Sequence, residues 1–203
     1  MKRLIPQAVL VLFAFSLAPA YSADVASLEK DCNDCHGPHG ISESNDVPTI
    51  AGTSTGILGD YLTAYREKDR PCPKSKYRHG DTKRPETDMC AVTAKLSDAD
   101  IGALAARYAA KPFKAAKQAF DPAKAAAGKK LHARDCEKCH TGSGRDADAD
   151  AAILAGQWSP YLKQAMDHFV SGERPMPKKM KEKVSKLAPA DIDALVNFYA
   201  SLQ

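Results

Sequence analysis

One five-residue pattern occurs twice in this chain of 203 residues, and its repetition constrains the fold more than any other feature. The pattern is Cys-x-x-Cys-His, and its copies occupy residues 32–36 and 136–140, which are 104 residues apart. Residues 96–109 also match residues 187–200 at 8 of 14 positions without a gap. Self-similarity over such a length indicates that one structural unit is present twice. The sequence therefore predicts two tandem domains.

The spacing after each motif extends the repeat and indicates where the two copies differ. Gly52 and Gly156 each lie 16 residues after the histidine of their motif. Tyr61 pairs with Tyr161 if the first copy has four extra residues before it. Nine more extra residues then fall between Tyr61 and Met89, in a stretch rich in proline, lysine and arginine. This alignment predicts two separate insertions in the first domain.

The composition favours helices in both domains. Hydrophobic residues make up 44% of the chain and charged residues 27%, which is typical of a globular protein, and the sequence has no alternating runs of Val, Ile and Thr. The formal net charge of +4 is too small to indicate a nucleic-acid-binding protein. The fold class is therefore predicted to be all-α, with about three helices in each domain. The predicted helices span residues 24–31, 61–68, 97–110, 122–135, 160–171 and 189–202.

The Cys-x-x-Cys-His pattern indicates covalently bound haem c. In this pattern two cysteines form thioethers with the haem vinyl groups, and the adjacent histidine binds the iron. A thioredoxin-like redox pair would need a βαβ context, and a zinc site would need four converging ligands, so both alternatives are disfavoured. Two haem groups would also complete the small cores of the two domains. The predicted thioether residues are Cys32, Cys35, Cys136 and Cys139, and the predicted proximal ligands are His36 and His140.

A methionine at matching positions in the two domains is the predicted second ligand of each iron. Met89 and Met180 each lie seven residues before the leucine that begins the repeated C-terminal segment. A thioether favours Fe(II), raises the reduction potential and suits electron transfer. Met176 is the rival of Met180, because its Arg-Pro-Met-Pro context is typical of a loop, and His79 is the rival of Met89. The repeat register favours Met89 and Met180 over both rivals.

The N-terminus has the pattern of an export signal. Lys2 and Arg3 precede a short apolar stretch, and the small residues Ala20 and Ser22 predict cleavage after Ser22 or after Ala23. The apolar stretch has about 11 residues, whereas a membrane-spanning helix needs ~20, so an uncleaved anchor is the less favoured alternative. The predicted location is the periplasm.

Two cysteines lie outside the motifs, and export affects what they are expected to do. Cys72 and Cys90 flank the longer predicted insertion. An oxidising compartment favours a disulfide between them, which would fix the insertion beside Met89. The alternatives are two free thiols or one reactive cysteine near the haem.

The order of these motifs resembles the cytochrome c4 class of dihaem cytochromes. Each half has Cys-x-x-Cys-His, then a Tyr-Leu pair, then methionine, then Leu-x-x-x-Asp-Ile. The second half is also similar to the cytochrome subunit of flavocytochrome c sulfide dehydrogenase, through residues 130–140, 153–162 and 174–180. The resemblance implies two tandem class I cytochrome c domains, each a small helical bundle around a covalent haem c. The implied organisation is a signal peptide at 1–22, a first domain at 23–110, a linker at 111–120 and a second domain at 121–203.

The resemblance to the flavocytochrome implies a heterodimer. An FAD-containing flavoprotein subunit would oxidise sulfide, and this dihaem chain would pass the electrons to a soluble c-type cytochrome acceptor. The chain would then have no catalytic residues of its own. The alternatives are a free-standing cytochrome c4-type carrier that feeds a terminal oxidase, and an autonomous haem enzyme with an open or unusual axial position. The lysine-rich segment 178–186 is either a docking surface for an acidic partner or a solvated helix face.

Overall fold

The computed structural model describes residues 25–147 and 151–203, so the predicted signal peptide lies outside the described residues. In those ranges the regular secondary structure is helical, apart from one isolated antiparallel bridge between Ser75 and Thr87, which confirms the all-α prediction. Among the described residues, no helix is both long enough and apolar enough to cross a bilayer. The helices of the first half are α1 (Val25–His36), α2 (Thr55–Arg66), α3 (Met89–Thr93) and α4 (Asp98–Ala109). Those of the second half are α5 (Pro122–Asp135), α6 (Thr141–Gly144), α7 (Ser159–Ser171), α8 (Lys178–Val184) and α9 (Pro189–Ala200).

Local capping explains where several helices begin. The Asp121 carboxylate accepts hydrogen bonds from the backbone N–H groups of Ala123 and Lys124, and Pro122 occupies the first turn, where no N–H is needed. Ser97 and Asp100 form a reciprocal capping box at the start of α4. Helix α5 consequently has the predicted bounds.

Each half has its own small apolar core, built mainly by its last helix. Helix α4 packs on α1 and α2, and α9 packs on α5 and α7. The buried residues of the first core are Leu58, Leu96, Ile101, Leu104, Ala105 and Tyr108. Those of the second core are Leu162, Ile192, Leu195, Val196, Phe198 and Tyr199.

The structure corrects the predicted alignment of the two copies. Helices α2 and α7 begin at Thr55 and Ser159, which are 104 residues apart like the two motifs, and the core leucines Leu58 and Leu162 keep the same offset. The pairing of Tyr61 with Tyr161 was therefore wrong, because it matched a dipeptide instead of the buried face of a helix. The first copy therefore has no extra residues before α2 compared with the second copy before α7.

The whole size difference between the copies lies in one segment. Arg70-Pro71 and Arg174-Pro175 are again 104 residues apart, so the copies diverge only after that point. Fifteen residues separate Pro73 from Met89, whereas two separate Pro177 from Met180. We call residues 74–88 the insertion.

The insertion folds back onto α1. The backbone N–H groups of Arg78 and His79 donate to the Asp34 carbonyl oxygen at 2.7 and 2.9 Å. The Arg84 guanidinium forms an ion pair with the Asp34 carboxylate and stacks on the Tyr77 ring at 3.6 Å. Since Asp34 lies inside the first Cys-x-x-Cys-His motif, the insertion covers part of that motif.

The two halves are joined by hydrogen bonds as well as by the connecting chain. The Gln157 side chain accepts from the Thr49 N–H at 3.0 Å and donates to the Thr49 carbonyl oxygen at 2.9 Å. Both residues are buried, with 4% and 3% of their surfaces exposed. The Trp158 indole N–H donates to the Ser42 carbonyl oxygen at 3.1 Å. Gln157, in the second half, thus provides hydrogen-bond partners for both backbone groups of Thr49 in the first half.

Gln157→Leu tests this contact. The substitution leaves the buried N–H and C=O of Thr49 without partners, and we expect the free energy of unfolding of the haem-loaded protein to fall by about 2–4 kcal/mol. Guanidinium denaturation followed by circular dichroism measures the change. Gln164→Leu, at an exposed position of α7, is the matched control. Equal stabilities for the two variants would contradict the assignment.

Candidate functional site

The two motif histidines lie at helix boundaries, His36 at the end of α1 and His140 directly before α6. His36 is the last residue of α1 and is buried, and its Nδ1 lies 2.9 Å from the Pro48 carbonyl oxygen. That carbonyl accepts a hydrogen bond from Nδ1–H, which leaves the Nε2 lone pair free. Nδ1 of His140 faces the backbone of Ala152, also 12 residues further on, without closing a hydrogen bond of normal geometry. Both rings therefore direct the same nitrogen away from the backbone.

Burial keeps both imidazoles neutral. It lowers the pKa of His36, and the hydrogen bond to Pro48 offsets part of that effect. Burial likewise lowers the pKa of His140. The neutral ring is the form that binds a metal, so both histidines are ready to act as ligands.

None of the four motif cysteines forms a disulfide. Burial raises the pKa of Cys32 to about 11 and also raises the pKa of Cys35 and of Cys136. Thiols of this kind lack the stabilised thiolate of a redox-active pair. In the described parts of the chain, the one group of three possible metal ligands is Cys72, Asp88 and Cys90, so no zinc set forms at either motif.

A tyrosine from the last helix of each half contacts the first motif cysteine. The Tyr108 hydroxyl lies beside Cys32 and donates to Asn33 at 2.9 Å. The Tyr199 hydroxyl lies beside Cys136 and pairs with Nδ1 of the buried His132 at 2.9 Å. These contacts with the motif cysteines were not predicted from the sequence, although the two tyrosines occupy matching positions of the repeat.

The two candidate methionine ligands sit in helices α3 and α8 and are half-buried. Met180 shares a face of α8 with the buried Val184, one turn away. Met176 precedes α8 in a loop and, at an offset of 104 residues, is equivalent to Cys72 rather than to Met89.

Cys72 and Cys90 form a disulfide whose Cα atoms are 5.8 Å apart. Cys90 directly follows Met89, and the bond closes the loop that contains the insertion. The start of α3 is therefore covalently tied to the segment that follows α2.

The two motifs differ in how much their second cysteine is covered. The Cys35 thiol lies against the insertion and contacts the Lys76 carbonyl oxygen at 3.9 Å, whereas Cys139 is exposed. Near the second motif, Lys183 of α8 pairs with Asp135 at 3.1 Å, and Lys179 lies one turn away on the same side of the helix. The first motif is thus partly covered, and the second is open and bordered by lysines.

The residues present fit haem c. Each half offers two thiols, a neutral histidine with a free Nε2 and a half-buried methionine, beside a core of six buried residues. A covalently attached haem supplies the one-electron Fe(III)/Fe(II) couple when it is bound.

Comparisons with known proteins agree with this geometry. The family model for cytochrome c matches residues 23–106, and the model for subunit III of cbb3-type cytochrome c oxidase matches residues 123–198. Cytochrome c4 from Pseudomonas aeruginosa is 27% identical over 216 residues, which cover all of both chains.

Solved structures show the same arrangement. Reduced recombinant cytochrome c4 from Pseudomonas stutzeri superposes with a TM-score of 0.70 and 25% identity, over 90% of this chain and 100% of that chain. Thiosulfate dehydrogenase from Marichromatium purpuratum gives a TM-score of 0.65 and 25% identity, over 84% of this chain but 36% of that one. The chain therefore consists of two cytochrome c domains, each with one covalently bound haem c, and it is similar to cytochrome c4 over its full length.

Proposed function

We propose that this chain is the electron-accepting subunit of a periplasmic dehydrogenase, specifically the cytochrome subunit of flavocytochrome c sulfide dehydrogenase. An FAD-containing flavoprotein subunit oxidises sulfide, and this chain passes the electrons one at a time to a soluble c-type cytochrome. The observation that carries the proposal is the motif series of the second half, through residues 130–140, 153–162 and 174–180. The likeness to a thiosulfate dehydrogenase, of which this chain covers 36%, supports a dihaem unit that serves a dehydrogenase.

The chain's own residues hold the two redox centres in this proposal. Cys32, Cys35, Cys136 and Cys139 are the covalent anchors. His36 and His140 are the proximal ligands, and the Pro48 carbonyl oxygen orients the ring of His36. Met89 and Met180 would supply the second protein ligand of each iron. With a histidine and a methionine bound to each iron, no site would remain for a substrate, so the chain would transfer electrons without a catalytic site of its own.

The unequal surfaces of the two domains support a direction of transfer. The first domain, whose motif is partly covered by the insertion, faces the flavoprotein in this proposal. The second domain exposes Cys139, Lys183 of α8 pairs with Asp135 beside the motif, and a turn with Lys186 follows α8. Such a basic surface attracts an acidic protein and accelerates its association, which suits a soluble acceptor.

A second candidate function is that of a free-standing cytochrome c4-type carrier that feeds a terminal oxidase. The match to cytochrome c4 over the full length of both chains favours it. The two functions differ in whether a flavoprotein accompanies the chain.

Isolation of the native protein separates the two functions. We expect an absorption spectrum of the protein, purified from the periplasm under mild conditions, to show one flavin for every two haems. Added sulfide should then reduce the haems. Haem without flavin, inert to sulfide, would contradict the sulfide dehydrogenase proposal and favour the free carrier.

Methionine ligation can be tested through the weak near-red absorption band of iron bound to methionine sulfur. Met180→Ala should remove about half of this band, because one of the two irons loses its sulfur ligand. Met176→Ala is the matched control and should leave the band intact. Loss of the band in Met176→Ala instead would show that the loop methionine is the ligand. Retention of the full band in Met89→Ala would assign His79 or another group to the first iron.

A further inference from the structure

The segments that contain the two candidate methionine ligands are built differently. Met89 and Met180 are 91 residues apart, like Leu96 and Leu187, so the residues around the two methionines can be compared position by position. The first segment is fixed to the rest of its domain on both sides of its methionine, whereas the second has a lysine in place of the cross-linked cysteine. The proposed function gives both methionines the same role and does not explain this difference.

Three contacts close the base of the insertion directly beside Met89. They are a disulfide, an ion pair at 2.6 Å and two backbone hydrogen bonds of 2.7 and 3.0 Å. We call the paired residues the neck: Cys72 with Cys90, Lys74 with Asp88, and Ser75 with Thr87. The disulfide contributes most to this restraint, because it limits the conformations of the segment that it closes. The ion pair contributes less, since its lysine is exposed.

The short helix α3, which begins at Met89, is itself fixed at both ends. The Asp88 carboxylate caps its first turn and accepts a hydrogen bond from the backbone N–H of Ala91 at 2.8 Å. The hydroxyl of Thr93, which is fully buried, donates to the Met89 carbonyl oxygen at 2.8 Å. Met89 is therefore held through its own carbonyl group and through the residues on both sides of it.

Helix α8, around Met180, lacks each of these restraints. The residues that correspond to the cap, the cross-linked cysteine and the buried hydroxyl are Lys179, Lys181 and Val184. The helix begins after Pro177 without a capping side chain, and the positive charge of Lys178 in its first turn opposes the helix dipole. It is anchored by Lys183 and Val184, one turn after Met180.

We propose that the neck and the Asp88 cap are positioning elements for Met89, and that Met180 is the ligand that an added small anion displaces first. Displacement requires the sulfur atom and the segment that carries it to move from their place in the folded domain. The disulfide and the cap oppose that movement at Met89 alone, and the lysines of α8 favour the approach of an anion to Met180. The inference rests on the methionine ligation of the proposed function, but not on the partner or on sulfide oxidation.

Titration of the oxidised holoprotein with potassium cyanide tests the inference. Cyanide replaces methionine sulfur on ferric haem, so the near-red band reports each displacement. At neutral pH we expect the band to disappear in two steps of equal size, of which the second needs roughly tenfold more cyanide than the first. Only the resistant step should remain in Met180→Ala, and only the sensitive step in Met89→Ala.

Variants of the neck distinguish positioning from a general loss of stability, because only one of the two steps should move. The double variant Cys72→Ser, Cys90→Ser should lower the cyanide concentration of the resistant step by roughly tenfold. Asp88→Ala should lower it by roughly fivefold, because the helix loses its cap. Glu86→Ala, at an exposed position two residues away, is the matched control and should move neither step. Should the double variant fail to fold, Asp88→Ala and its control decide the question.

Two steps at the same cyanide concentration, or a resistant step that belongs to Met180, would overturn the inference and leave the sulfide dehydrogenase proposal intact. A resistant step that the neck variants leave in place would overturn it as well. A wild-type spectrum without any near-red band would overturn methionine ligation together with this inference.

Discussion

Covalent attachment of haem is the interaction on which each domain depends. Six buried residues form the apolar core of each half, and the first cysteine of each motif packs against that core. A domain of fewer than 90 residues buries too little apolar surface for comfortable stability. A large planar group bonded at two cysteines and one histidine supplies the missing contacts. The last helix of each half contributes most of the buried residues of its core.

The repeat explains how one scaffold has come to present two different surfaces. The first copy has Asp88 and Val92 where the second has Lys179 and Lys183. The first copy also has the disulfide and the insertion, which lies on its motif, whereas the second has an exposed Cys139. Two similar redox sites with unlike surfaces are suited to accept electrons on one side and deliver them on the other. This asymmetry is the structural basis of the proposed direction of transfer.

Local signals in the sequence predicted much of the fold. The helix at residues 122–135 was predicted with its observed bounds, because Asp121 and Pro122 define its start. Helix α1 continues to His36 instead of ending at Asp31, because the motif itself is helical. The pairing of Tyr61 with Tyr161 was wrong because it relied on a shared Tyr-Leu dipeptide and not on the 3.6-residue periodicity of the buried helix face. That error also hid the relation between Arg70 and Arg174, which is visible in the sequence once the offset of 104 residues is kept.

Other features depend on how the domains dock and had no local signal. The contact between Thr49 and Gln157 joins residues 108 apart, and no periodicity within either half predicts it. The roles of Tyr108, Tyr199 and His132 depend on the packing of the last helix against the first helix of each half. A repeat identifies such residues as equivalent, but only the folded structure shows what they contact.

Amide hydrogen exchange tests whether bound haem completes the core of each domain. Haem attachment would be blocked in the second domain alone by replacing Cys136 and Cys139 with serine. We expect α5, α7 and α9 to lose protection while α1, α2 and α4 retain it. Full protection of the second domain without its haem would show that side chains alone complete its core and that haem is not required.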